Sequence, residues 1–258
     1  MAIITDQRVH VSVQIEGNTN SSFLNDLGNI YGAEHVLVYK VSLKKFIRLS
    51  DLPQSPSLPL LKMGKGLLSS TPFFNNAPDV THTQEAEDKL YARKELPPDT
   101  AAVHGQFTPN LFRGVFDNPF ISIILMDPLE RMITLYDEWK SLKGETDWRI
   151  NIPFDKDLRF LDFVYQDGFL NFQSKCLGNR RLGDYDLVGV SECLPGFIAQ
   201  LKNKDWTGYI NNTSSEYQLE KPRYKNLDIT PAFVEEFTAA NQMDYAIHQQ
   251  AKDFIGYC

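Results

Sequence analysis

The sequence has few cysteines and no long apolar run, and each shortage excludes a class of protein. The three cysteines have no C-x-x-C spacing. An odd number argues against a disulfide framework and predicts free thiols in a reducing compartment. No segment approaches the roughly 20 apolar residues of a membrane span. The first residues also lack the basic start and apolar core of a secretory signal peptide, so we expect a cytoplasmic protein without a membrane partner.

Net positive charge is missing as well. The 258 residues carry a formal charge of −7, and the isoelectric point is near 5.3. Proteins that bind the phosphate backbone of nucleic acids are usually basic, so nucleic acid is not an expected partner. The five histidines show no spacing such as H-x-x-x-H, so no metal site is predicted.

The apolar pattern predicts an α/β fold. Apolar and polar residues alternate over 9–15, which indicates a strand with one well-buried face; 23–31 follows as a helix and 36–41 as a second strand. This opening is typical of a doubly wound sheet. We therefore expect one domain over 1–258, with three layers in which helices flank a mainly parallel sheet. A proline-rich, irregular excursion interrupts it at about 50–82.

The strongest local signal is a strand that leads directly into a helix. The apolar run Phe120–Met126 predicts a buried strand, and Asp127-Pro128 then begins an amphipathic helix. Such a junction lies at the ligand-binding edge of a parallel sheet, where helix N-termini attract anions. Arg131 and Thr134 could place a guanidinium and a hydroxyl beside a bound phosphate. Alternatively, Arg131 forms an ordinary ion pair with a neighbouring carboxylate.

A small polar turn follows the first strand, where nucleotide-binding folds hold phosphates with backbone N–H groups. Its candidate binding residues are Gly17, Asn18, Thr19, Asn20, Ser21 and Ser22. The Walker sequence is absent, and no lysine lies between Arg8 and Lys40, so the turn supplies no cation. The same residue types also suit any tight connection between a strand and a helix.

His104 begins the segment 104–107 that ends a predicted strand over 101–107, where an imidazole could act as a general base. The alternative is a histidine hydrogen-bonded into the structure, and no nearby Ser or Asp spacing indicates a triad. Two basic clusters, around Lys175–Arg181 and Lys221–Lys225, could close over an anion or form ordinary solvated surface.

Taken in the order in which they occur along the chain, these motifs resemble those of the sulfotransferase superfamily. The resemblance is in particular to its carbohydrate branch, which includes heparan sulfate 2-O-sulfotransferases. The segments that carry the resemblance are 16–23, 104–107, 125–136, 171–178, 188–192, 211–212 and 244–248. The resemblance implies a P-loop NTPase-like sulfotransferase fold. It also implies transfer of a sulfuryl group from 3′-phosphoadenosine 5′-phosphosulfate to a hydroxyl of a carbohydrate or another small acceptor.

The resemblance also implies roles for individual residues. The donor would lie across Gly17–Ser22 and the segment Arg131–Thr134. His104 would remove the proton from the acceptor hydroxyl, and Gln106 would orient that acceptor. No metal is implied, and the acceptor-lining segments have no diagnostic pattern.

Three positions depart from the family pattern. Gly17 stands where the family has a lysine, Met126 where it has the arginine that binds the 3′-phosphate, and Gln106 where it has a second histidine. A charge-assisted hydrogen bond contributes roughly 1.5–3 kcal/mol, so two lost cations cost about 3–6 kcal/mol of donor binding. The alternative to an active sulfotransferase is therefore an inactive protein of the same fold that binds another anionic ligand or a protein partner.

Overall fold

The computed structural model describes residues 8–15, 21–40, 45–52, 96–141, 155–166, 168–203 and 227–255. These residues form one six-stranded sheet in the order β3-β2-β4-β1-β5-β6. Its strands are β1 (His10–Val13), β2 (Val36–Lys40), β3 (Lys45–Arg48), β4 (Ala102–Gly105), β5 (Phe120–Leu125) and β6 (Leu187–Val190). All neighbouring strands pair in parallel except β2 and β3, which are antiparallel. The prediction of a mainly parallel α/β sheet is confirmed.

Helices flank this sheet. The described α-helices are α1 (Ser21–Tyr31), α2 (Pro128–Ser141), α3 (Phe160–Phe163), α4 (Phe172–Cys176), α5 (Leu194–Asn203), α6 (Pro231–Ala240) and α7 (Gln242–Ile255). The predicted helix start at Pro128 is confirmed, because the strand before it ends at Leu125 and Asp127 caps the helix.

The two faces of the sheet carry separate apolar clusters. On one face, Phe23 of α1 and Phe197 of α5 pack with Val36 and Phe120. On the other face, Ala251 of α7 joins a cluster that contains Val11, Val103, Ile123 and Val188. A third cluster joins α2, α3 and α6 through aromatic side chains such as Trp139, Phe163 and Phe237. The central strands are therefore covered on both faces.

β1 is consequently more buried than its alternating sequence predicts. All four of its residues are buried, including the polar His10 and Ser12. The physical reason is its central position, because a parallel strand between two others is covered by helices on both sides.

The apolar pattern over 231–255 predicts one long closing helix. That prediction is wrong in one respect, because the structure has two helices that meet at Asn241. The Asn241 side chain donates to the Phe237 carbonyl and accepts from the Asn171 N–H, so it competes with helical hydrogen bonding. The sequence also predicts a helical patch over 157–165, and the structure has a shorter helix there, a single turn at Phe160–Phe163.

The cysteine prediction is wrong at one position. Cys193 forms a disulfide bond, whereas Cys176 lies outside any disulfide. Spacing along the chain could not reveal this, because disulfide geometry depends on distances in the folded state. Most of the proline-rich excursion, from residue 53 onward, lies outside the described residues.

Candidate functional site

The strand order puts the carboxyl end of β1 where a doubly wound sheet is expected to open a crevice. From β1 the chain first builds β2 and β4 on one side, and then crosses to β5 and β6 on the other. Connections that leave neighbouring strands in opposite directions open a ligand-binding crevice at this point of a doubly wound sheet. Three sequence-predicted segments follow these strands: 16–22 after β1, Gln106 after β4 and Met126–Asp127 after β5.

The first of these segments is only partly described. Gly17, Asn18, Thr19 and Asn20 lie outside the described residues. The backbone of Ser21 begins α1 and Ser22 continues it, but their side chains also lie outside the description. Their predicted role in phosphate binding stays a prediction.

His104 lies within the sheet beneath α1. Its imidazole is only 4% exposed, packs edge-on against Phe23, and its Nδ1 lies 3.0 Å from the Ser12 hydroxyl. Burial lowers the pKa of His104 to about 4, because a charged imidazole would lose its hydration. The imidazole is therefore neutral at neutral pH, which is the protonation state of a base. Its low pKa nevertheless makes it a weak proton acceptor.

A second buried histidine accompanies it. His10 Nε2 lies 2.7 Å from the Ser122 hydroxyl, and burial, with a smaller contribution from His104, lowers the pKa of His10 to about 3. Ser12 stands in register between His104 on β4 and Ser122 on β5. Polar side chains therefore cross three strands on one buried face. The period-two spacing of His10 and Ser12 is the sequence signal that could have revealed this.

Gln106 follows β4 at the edge of the crevice. Among the described residues, its Nε2 is one of the buried side-chain nitrogens that has no hydrogen-bond partner. A buried amide without a partner costs free energy, which a ligand acceptor could recover. This observation agrees with a position beside a bound ligand, but it does not define the acceptor.

The N-terminus of α2 is closed by the chain's own carboxylate. Asp127 Oδ1 accepts hydrogen bonds from the N–H groups of Leu129, at 2.9 Å, and Glu130, at 3.0 Å. This cap satisfies two donors that would otherwise face an anion. A phosphate at this helix end would have to compete with the carboxylate.

Arg131 is turned into the protein interior. Its side chain is 0% exposed, its Nη2 donates to the Phe169 carbonyl at 3.0 Å, and its guanidinium lies 5.0 Å from the centre of the Phe172 ring. In this position the guanidinium holds the 169–172 segment against α2. This full burial differs from the ordinary surface position considered from sequence.

Thr134 is half-buried one turn further along α2. Its hydroxyl donates to the Glu130 carbonyl at 2.9 Å, which is a bond within the helix. The oxygen keeps acceptor capacity, whereas its proton is committed to the backbone. A phosphate would need that proton.

The segment 171–178 connects β5 to the C-terminal helices. The Gln173 side chain forms two hydrogen bonds with the backbone of Met126, at 2.7 and 2.9 Å. The buried Asp244 carboxylate of α7 accepts from the N–H groups of Gln173 and Ser174 at 3.0 and 2.8 Å. Asn171, in the left-handed region at φ 51°, donates through its side chain to Ala240. These contacts give the motif a positioning role.

Another polar group follows β6. The Glu192 carboxylate lies 3.2 Å from His248 and 2.9 Å from Lys252, both on α7. Partial burial opposes ionisation, but the hydrogen bonds from His248 and Lys252 together hold the pKa of Glu192 well below its ordinary value. This cluster ties α7 to the carboxyl end of β6.

Of the two basic clusters, the structure describes the first. Arg180 Nε donates to Asn110 at 3.2 Å, and Arg181 is exposed. Both arginines line a groove of about 700 Å³ against α7, whereas Lys175 does not line it. Residues 221–225 lie outside the described part of the chain.

Within the described residues, no group of three or more His, Cys, Asp or Glu side chains is arranged to hold a metal. None of the described helices has the length and apolarity needed to cross a bilayer. No protein-family model matches the chain, and comparison with curated proteins finds no match.

Proposed function

We propose that this is a sulfotransferase-like protein that binds an oxyanion ligand in the crevice at the carboxyl end of β1 without transferring a sulfuryl group. The observation that carries the proposal is the strand order, in which β1 lies between β4 and β5. This order brings the ends of three motif-bearing segments to one edge of the sheet. The P-loop NTPase-like sulfotransferase fold is part of the same proposal.

The described residues do not fit the family's way of holding 3′-phosphoadenosine 5′-phosphosulfate. Arg131 is completely buried on the Phe169 carbonyl, and the Thr134 proton is bonded within α2. Met126, which replaces the family's arginine, has both backbone groups bonded to Gln173. These residues therefore supply neither the guanidinium nor the hydroxyl proton for a 3′-phosphate.

His104 also supports binding without transfer. Its Nδ1 is engaged by Ser12, and its low pKa gives little driving force for taking a proton from a hydroxyl. A preorganised cation that stabilises the leaving group is the largest contribution in such reactions, and the first turn contains none.

The second candidate function is sulfuryl transfer to a carbohydrate or other hydroxyl acceptor. The observation in its favour is that His104, on the strand next to β1, is neutral and fixed by Ser12 of β1. In that function His104 would be the base and Gln106 would orient the acceptor. Incubation with donor labelled in its sulfuryl group, across a panel of sugars and phenols, separates the two candidates. Labelled product that disappears in a His104→Asn variant would establish transfer.

Binding is tested by calorimetric titration of the full chain with adenosine 3′,5′-bisphosphate and, separately, with pyrophosphate. An Asn18→Asp variant adds a carboxylate to the predicted phosphate turn, and Asn25→Asp adds the same charge to an exposed position of α1. We expect saturable binding of at least one probe that is lost in Asn18→Asp and kept in Asn25→Asp. No heat from either probe at millimolar concentration, or equal binding by both variants, would overturn the proposal.

A further inference from the structure

A groove beside the C-terminal helix combines exposed cations with an apolar wall. It measures about 700 Å³ and lies between 177–183 and α7. This volume is typical of sites that hold small organic molecules. Its wall includes the apolar side chains of Leu177 and Ile247, and Phe254 stands at its border with 62% of its surface exposed.

The charges in the groove favour an anion. Arg180 and Arg181 both line it, and Asp253 is the one acidic side chain among its described lining residues. Asp253 accepts a hydrogen bond from Gln249 at 2.9 Å, which directs one of its oxygens along α7. Two guanidinium groups against one carboxylate give the groove a positive balance in a chain of net charge −7. Guanidinium groups bind carboxylate, sulfate and phosphate through paired hydrogen bonds.

The groove lies on the other face of the sheet from His104. Its residues Leu177 and Leu182 belong to the apolar cluster that contains Val11 and Val103. His104, in contrast, packs against Phe23 on the opposite face of the sheet. A ligand in the groove would therefore not approach His104.

From this combination we propose that the groove binds a small organic anion, with its oxyanion head on Arg180 and Arg181 and its apolar body against Leu177, Ile247 and Phe254. The argument is independent of the function proposed above. The positive balance explains why the head must be anionic. The apolar side chains of Leu177, Ile247 and Phe254 in the lining explain why the body must be apolar.

The test is fluorescence titration of the full chain with 8-anilinonaphthalene-1-sulfonate, an aryl sulfonate that has both required parts. Arg181→Gln removes an exposed charge, and Phe254→Ala removes the exposed ring. Arg159→Gln is the matched control for charge, because Arg159 forms an exposed ion pair with Asp162 and does not line the groove. Met243→Ala is the control for apolar area, because Met243 is 57% exposed on the same helix and does not line the groove.

We expect one saturable site that both groove variants weaken about tenfold, whereas both controls bind as the unmodified protein does. Binding should also weaken several-fold between about 0.05 and about 0.5 M salt. Decanoate should displace the probe, and uncharged decanol should not. Adenosine 3′,5′-bisphosphate, the ligand used to test the crevice, should not displace the aryl sulfonate from the groove. The two proposals can therefore fail independently of each other.

Three results would overturn the inference. The first is the absence of saturable binding at millimolar probe. The second is an equal affinity in the groove variants and their controls. The third is sensitivity to Phe254→Ala without sensitivity to Arg181→Gln or to salt, since that result would indicate an apolar patch with no anion site. Urea unfolding of each variant confirms that the probe reports on folded protein.

Discussion

The side-chain amide of Gln173 satisfies both backbone hydrogen-bonding groups of Met126, the residue that follows β5. Gln173 is completely buried, so water cannot replace these bonds. We expect Gln173→Ala to lower the free energy of unfolding by about 2–4 kcal/mol, because two buried backbone groups lose their partners. Urea unfolding measures this.

The matched control is Gln166→Ala. The Gln166 side chain donates to the Asp162 carbonyl at an exposed position, where water can take its place. Its loss should cost less than about 0.5 kcal/mol. Equal costs at the two glutamines would show that the Gln173 bonds do not hold the end of β5.

Gly189 in β6 leaves no room for a side chain. A Cβ there would lie 2.4 Å from the Phe197 ring of α5, and both belong to packed elements of the sheet face. We expect Gly189→Ala to destabilise the protein by about 2–3 kcal/mol through overpacking. Thermal or urea unfolding gives the value.

Gly196, in α5, provides the comparison. Nothing lies within 4 Å of a Cβ built at this position. Gly196→Ala should therefore be neutral or stabilise by about 0.5 kcal/mol, because alanine has less freedom to lose in a helix. Loss of stability in Gly196→Ala similar to that in Gly189→Ala would contradict the proposed contact.

The buried histidines predict a loss of stability in acid. The pKa of His104 is lowered to about 4 and that of His10 to about 3, so the unfolded chain binds more protons than the folded protein below pH 6.5. Stability is then complete well above pH 6.5 and falls as the pH drops toward each folded-state pKa, by about 1.4 kcal/mol per pH unit for each histidine. Between about pH 4 and 3, only His10 still contributes to the loss of stability with falling pH.

Urea unfolding at pH 7.5, 6.0 and 5.0 tests this slope. His10→Gln can keep a hydrogen bond to Ser122, and His104→Asn can keep one to Ser12. In each variant, the free energy of unfolding should fall less steeply below pH 6.5, by about 1.4 kcal/mol per pH unit. Its dependence on pH above pH 7 should be unchanged. An unchanged acid slope in both variants would mean that these imidazoles protonate inside the fold.

The ion pairs of Glu192 predict a smaller effect of pH on stability than the buried histidines do. Its carboxylate is 35% exposed, so solvent screens its pairs with His248 and Lys252. Glu192→Gln should cost about 1 kcal/mol at pH 7. The difference should shrink as the pH falls below the ordinary carboxylate range and be lost only when the pH falls through the lowered pKa of the folded protein. Asp162→Asn, at the exposed pair with Arg159, is the control and should cost less than about 0.5 kcal/mol.

Sequence periodicity predicted most of the parallel core because those strands are short apolar runs bounded by turns. The run that gives β5 and the Asp127 cap of α2 are local signals, and both are confirmed. β3 was not predicted, since an edge strand of Lys45–Arg48 has little apolar pattern and depends on pairing with β2. The break at Asn241 was missed because it depends on Asn171, 70 residues earlier.

The candidate site shows the same limit. The sequence pattern placed His104 on a strand and Arg131 on a helix, but it did not predict which side chains surround them. The burial of His104 depends on Phe23, and that of Arg131 on Phe169 and Phe172. A motif gives a residue's place along a strand or helix, whereas exposure depends on elements that are distant in sequence.

The contact between Gly189 and Phe197 also constrains how this sequence can diverge. Positions 189 and 197 share a volume that holds one ring and no additional carbon. A relative that keeps α5 against β6 should carry glycine at 189 whenever an aromatic residue stands at 197. A larger residue at 189 should be accompanied by a smaller one at 197, so the two positions are expected to vary as a pair.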